Sequence, residues 1–233
     1  MRRQSSSRLR NGFEATMSPE FEHWRPPKGV RRPNRREMMR AMESIPARMD
    51  WEWASSRIVP VLERPGSDPQ PDDPQLAASA DCGISYGFGI EIGPAFARVT
   101  RSMARGWDRE PRQVQEVALA NLRRRTRDEN IAIEASAGDD VAVRALTKPD
   151  GCASSLLLVP DALRRLFGEE NQIFTAPMRS LLLSFPAEMP DEEVDEMTMH
   201  FEQLDPHPLH LDPFRLIAGR LTWDGIVPPI RRR

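Results

Sequence analysis

Three of the four histidines, His200, His207 and His210, fall within eleven residues, and Asp212 follows them in the run "HPLHLD". Glu196 precedes His200 by four residues, one helical turn, so the two side chains would share a helix face. Imidazole and carboxylate groups together suit zinc or another transition metal. Pro206 and Pro208 break the second half of the group, whereas a strong zinc motif fixes two histidines rigidly on one helix. His200, His207, His210 and Asp212 are therefore a candidate metal site that depends on a proline-rich loop folding back. A metal-dependent enzyme centred there ranks below the binding readings that follow.

Other groups carry weaker chemistry. Asp191, Glu192 and Glu193 open an amphipathic segment, where acids stabilise the positive end of a helix by about 0.3–1 kcal/mol each, and this suffices to explain them. There is no G-x-S-x-G, and Cys152 in "CASS" has no histidine near it in sequence, so a nucleophile has no local support. No catalytic residue and no cofactor is assigned.

The run "YGFGIEIG" (86–93) resembles a phosphate-binding glycine loop at first sight. Such loops lie between a strand and a helix N-terminus. Here the glycines lie inside a strand pattern: Ile84, Tyr86, Phe88, Ile90 and Ile92 alternate with Ser85, Gly87, Gly89 and Glu91. Gly87 and Gly89 then leave one bare patch on a sheet, which calls for close approach by another element, a helix in the first instance and a ligand or partner in the second. Gly93-Pro94 is expected to lead into a helix with Phe96, Val99, Thr100, Met103 and Trp107 inward and Arg98, Arg101 and Arg105 as an outward ridge.

Elsewhere, periodicity predicts a helix from Asn34 carrying Met38, Ala41, Met42 and Ile45, and a strand at 57–64 whose Pro60 places it at an edge or makes it bulged. A loop follows at 65–75. A helix from Pro111 carries Val114, Val117, Ala118 and Leu122 inward, and strands at 130–135 and 141–146 form a hairpin. A short helix at 160–168 ends at Gly168, and two strands follow in "QIFTAP" and "RSLLLSFP". A helix at 190–204 buries Val194, Met197, Phe201 and Leu204, and a last strand spans 214–223. Strands and helices do not alternate regularly, so the fold class is α+β with a mostly antiparallel sheet. Residues 1–33, rich in Arg, Ser and Pro, form an expected disordered basic arm ahead of a single domain over 34–230.

The net charge of −2 conceals segregation. Residues 1–40 hold 11 Lys/Arg against 4 acids, residues 94–127 hold 9 against 3, and residues 128–213 hold 5 against 18. Fields so separated steer partners by charge. No apolar run is long enough to span a bilayer and no secretory signal is evident, so the expected location is the cytoplasm, without membrane contact. Cys82 and Cys152 lack a CxxC partner, and the sequence leaves open whether they pair with each other.

Several stretches, taken in order, resemble the YtpQ-like bacterial proteins, a family of unknown function. They are "RIVPVLER" with Arg57-Ile58 and Pro60-Val61, the strand "YGFGIEIG", "ALANLRRR" (118–125), "DGCAS" (150–154) and the strand pair leading to "LLLSFP". The resemblance covers 35–224 and omits the basic arm. It implies a cytoplasmic bacterial α+β protein and carries over no activity and no site residue.

The charge layout favours a non-catalytic interaction protein, binding a protein partner or itself, with Gly87, Gly89, Arg98, Arg101 and Arg105 as the partner or ligand surface. The alternative is a nucleic-acid-associated factor using the basic arm and the same arginines against phosphate.

Overall fold

The computed structural model describes residues 35–64, 73–80, 82–93, 95–128, 133–137, 142–148, 151–168, 171–217 and 220–223. The basic arm and most of the 65–75 loop lie outside the described residues. The chain forms α1 (Arg35–Glu43), α2 (Trp51–Ser55), β1 (Ile58–Leu62), β2 (Ala77–Ser79), β3 (Ser85–Ile92), β4 (Ala95–Arg98), α3 (Arg101–Gly106) and α4 (Pro111–Asp128). Then come β5 (Ile133–Ala137), β6 (Ala142–Thr147), a 3-10 turn at Ser154–Leu158, α5 (Pro160–Phe167), β7 (Gln172–Met178), β8 (Leu181–Pro186), α6 (Asp191–Glu202), β9 (Phe214–Ile217) and β10 (Arg220–Trp223). The fold is α+β, and every strand pairing among the described residues is antiparallel.

Two sheets organise the molecule. In the smaller, β3 is central, with β1 on one side and the short β2 and β4 end to end on the other. The larger has the order β10-β9-β7-β8-β6-β5. Its central strands are apolar on both faces because both are covered. Phe174, Leu182 and Leu146 enter a core that also takes Ile58, Phe88 and Ile90 from the small sheet, Val114, Ala118 and Leu122 from α4, and Leu163 and Phe167 from α5. Ile173, Leu183, Phe185 and Val143 point the other way, onto Val194, Met197 and Phe201 of α6. Each fully buried Val, Leu, Ile, Phe or Met side chain among them favours folding by about 1.5–3 kcal/mol.

Pro60 does lie on an edge strand, where its missing N–H breaks no ladder bond. The carbonyls on the outer side of β1 are taken by side chains instead. Asn121 Nδ2 of α4 donates to the Ile58 carbonyl (2.9 Å), Ser155 Oγ to that of Pro60 (2.8 Å) and Arg179 Nε to that of Leu62 (3.2 Å).

Several expectations are corrected. Gly93 does not lead into a helix. With φ at +57° it opens a two-residue turn, and β4 returns against β3 with Ala95 opposite Ile92. The helix begins only after Thr100, whose side chain accepts from the Met103 N–H. Glycine's tolerance of positive φ and the tight hairpin outweigh the helical spacing of Phe96, Val99, Met103 and Trp107. The segment 214–223 is two strands joined as a hairpin, Ile217 opposite Arg220, rather than one. Of the 130–146 pair, the described residues form antiparallel strands at Ile133–Ala137 and Ala142–Thr147, and residues 130–132 lie outside the described residues. Leu204, just past the end of α6, and Met42 are exposed, and Val117 is only half-buried. Neither α2 nor β2 is evident from periodicity, both being too short to show one.

Candidate functional site

The candidate metal group does not assemble. His210 sits in left-handed backbone (φ +50°) with Nδ1 2.7 Å from Glu202 Oε2. The His200 ring stands edge-on to Phe201 at 5.4 Å, and the backbone N–H of His207 donates to Asp205. Among the described residues no three His, Cys, Asp or Glu side chains converge as metal ligands would. Asp212 instead joins a carboxylate cluster. Partial desolvation, reinforced by Asp191, Asp212 and Glu192, raises the carboxyl of Asp195, an exposed residue, above the ordinary aspartate value. Arg215 reaches Asp191 at 2.6 Å.

The glycine patch is not bare. Both Gly87 and Gly89 are buried. A Cβ on Gly87 would lie 1.8 Å from Nε2 of Gln75, and one on Gly89 would lie 3.0 Å from both Phe96 and Val61. Close approach is the reason for the glycines, but side chains from neighbouring strands and the segment before β2 supply it, not a helix or an open ligand surface.

The arginine ridge also divides. Arg98 ends β4, while Arg101 and Arg105 lie on α3, so the three do not share one helix face. Asp73 anchors the start of α3: it accepts from the Ser102 hydroxyl (2.5 Å) and backbone N–H (3.3 Å). The Ser102 hydroxyl bond, with a further one from Thr100, holds the Asp73 carboxyl below its usual range.

What periodicity misses is an aromatic and guanidinium group around α2. Asp50 caps that helix by accepting from the Trp53 N–H (2.9 Å). Trp51 meets Trp107, from the end of α3, at 5.6 Å between ring centroids, and Trp107 Nε1 donates to the Met49 carbonyl (2.7 Å). The guanidinium of Arg109 lies over Trp51 at 5.2 Å and that of Arg57 over Trp53 at 4.6 Å. All three indoles are half-buried, with one edge on the core and the other at the surface. The pairs "WEW" and Trp107-x-Arg109 are the available sequence signals, but the two halves lie more than 50 residues apart.

A second feature is a cleft of about 430 Å³ at the end of β7 and β8, lined by Arg144, Asn171, Gln172, Ser184, Pro186 and Glu188 among others. Arg144 and Ser184 are cross-strand partners. Ser184 Oγ donates to Gln172 Oε1, Gln172 Nε2 donates to the Phe167 carbonyl (2.9 Å), and Arg144 Nη1 donates to the same carbonyl. That carbonyl is at the C-terminal end of α5, where unpaired carbonyls collect.

Asn121 and Gly151 hold the fold rather than a site. Asn121 clamps the turn before β1 through Ser55 (2.7 Å) and Ile58. Gly151 faces Phe96, where a Cβ would come within 3.2 Å. Cys152 is buried, Cys82 half-buried, and neither is in a disulfide. No helix among the described residues is long and apolar enough to cross a membrane. Searches against models of known families, curated proteins and solved structures each returned no match.

Proposed function

We propose that this chain is a non-catalytic interaction protein that recognises a carboxylate-rich protein surface through the tryptophan–arginine group around α2 and α3. The observation that carries this is the stack of Arg109, Trp51 and Trp107. Tryptophan and arginine are the residues that most often dominate protein interfaces, and a guanidinium over an indole face is held ready for a carboxylate at little entropic cost. Exposed Arg101 and Arg105 extend the positive character on α3. The acidic first turn of α6 in a second copy is one surface of the required chemistry. A cytoplasmic location and kinship with the YtpQ-like proteins are part of the same reading.

The nucleic-acid alternative draws on the same residues, because an indole is a stacking platform for any base. Intrinsic tryptophan fluorescence separates the two readings. Titration with poly-L-glutamate should quench it saturably, with salt-dependent affinity, and Arg109→Glu should remove the effect. Quenching by a single-stranded oligonucleotide but not by polyglutamate would replace this reading with the alternative. Silence with both probes would end both.

A further inference from the structure

We propose that the cleft at the end of β7 and β8 binds a small zwitterion of the amino-acid type, its carboxylate on Arg144 and its ammonium on Glu188. This site is separate from the tryptophan–arginine group and does not depend on the reading above.

The argument starts from what the polar network leaves unused. Ser184 is 2% exposed and Gln172 6%, so their hydrogen bonds must be met within the protein. The hydroxyl of Ser184 donates to the Gln172 carbonyl oxygen, and the Gln172 amide donates onward to Phe167. Every bond in this chain runs toward the Phe167 carbonyl, which also takes Arg144 Nη1. Gln172 Oε1 and the Phe167 carbonyl are thereby engaged. What remains to face the cleft is donor capacity: the second N–H of Gln172 and the remaining N–H groups of Arg144, five in an arginine before any is used.

Arg144 is half-buried, yet among the described residues no carboxylate lies within ion-pair distance of it. A partly buried guanidinium with one carbonyl for a partner has two parallel donors to spare, the arrangement that grips a carboxylate with both oxygens. Glu188, exposed on the same cleft, is an acceptor alone and forms no ion pair across to Arg144. A ligand bearing both signs satisfies both ends, whereas a dianion meets Glu188 with repulsion. The cleft volume falls in the range of small-molecule sites, about 300–1,000 Å³.

The test is calorimetric titration of the full chain with L-glutamine, L-leucine and L-lysine as zwitterion probes and succinate as the dianionic probe. At least one zwitterion should bind saturably, more tightly than succinate. Glu188→Gln, at an exposed position that leaves folding intact, should weaken that binding about tenfold, and Arg144→Gln about a hundredfold, as expected for hydrogen bonds to charged groups. Circular dichroism checks that Arg144→Gln is folded; if it is not, Glu188→Gln decides alone. The proposal is overturned if no zwitterion binds, if succinate binds as tightly as the best of them, or if Glu188→Gln leaves affinity unchanged.

Discussion

The hydroxyl of Ser155 donates to the carbonyl of Pro60 at 2.8 Å, joining two buried residues 95 apart in the chain. Its neighbour Ser154 is equally buried, and its hydroxyl has no hydrogen-bond partner among the described residues. Adjacent serines therefore act in opposite senses. Ser155→Ala strands a buried carbonyl and should cost about 1–3 kcal/mol, while Ser154→Ala removes a desolvated hydroxyl and should be neutral or stabilising by about 1 kcal/mol. Urea unfolding of both variants, at unchanged m-value, is the comparison. Equal losses would refute the distinction.

Asn121 spends both amide hydrogens on two carbonyls, those of Ser55 and Ile58. Replacing the amide by leucine leaves two acceptors unmet, at about 1–3 kcal/mol each where they stay dry. Asn121→Asp should be worse at neutral pH, because a carboxylate then faces two carbonyl oxygens. The difference between the variants should shrink as acid protonates that carboxyl and restores one donor. Thermal melts of both across a pH series would show the crossover or its absence.

Gly87 and Gly89 look alike in the sequence and should differ in substitution. A methyl at Gly87 meets the end of the Gln75 side chain, which can swing aside, so Gly87→Ala should cost at most about 1 kcal/mol. A methyl at Gly89 meets Phe96 and Val61 inside packed structure, where overfilling costs about 1–3 kcal/mol. The order of their denaturation midpoints tests this, and the reverse order would mean that Gln75 is the more tightly held.

The carboxyl of Asp195 is raised by partial desolvation and by the carboxylates of Asp191, Asp212 and Glu192. Its folded-state pKa lies above the unfolded one, so the stability it contributes is present in acid and is lost as pH rises through the raised value. Removing the charge should therefore help at neutral pH. Asp195→Asn is expected to add about 0.2–0.5 kcal/mol at pH 7, the size of one like-charge pair a helical turn apart. That gain should vanish below the ordinary aspartate range, and a gain that persisted there would trace to something other than charge.

How much of this was legible in the sequence depends on the length of each element. The helix from Pro111 and the strands at 172–186 show themselves because several apolar residues repeat on one period. β4 does not, since four residues carry no period of their own and Phe96 and Val99 happen to continue a helical spacing. The histidines mislead for a related reason. Between Asp205 and Pro213 the backbone follows no regular repeat, so proximity in sequence carries no information on side-chain direction, and His210 turns toward Glu202. The tryptophan–arginine group required two segments to meet through Trp51 and Trp107, and the cleft required a register, Arg144 opposite Ser184, that no local pattern encodes.

The sealed outer side of β1 bears on how this protein can meet another. Proline at its centre offers no N–H, and the carbonyls of Ile58, Pro60 and Leu62 are each engaged by a side chain from a different part of the chain. The opposite edge of the same sheet is divided between β2 and β4, three and four residues long. Among the described residues an incoming peptide finds no continuous ladder on either side, which closes that part of the small sheet to strand addition. Association through this half of the molecule then runs through side chains, while among the described residues the larger sheet ends in β5 and β10.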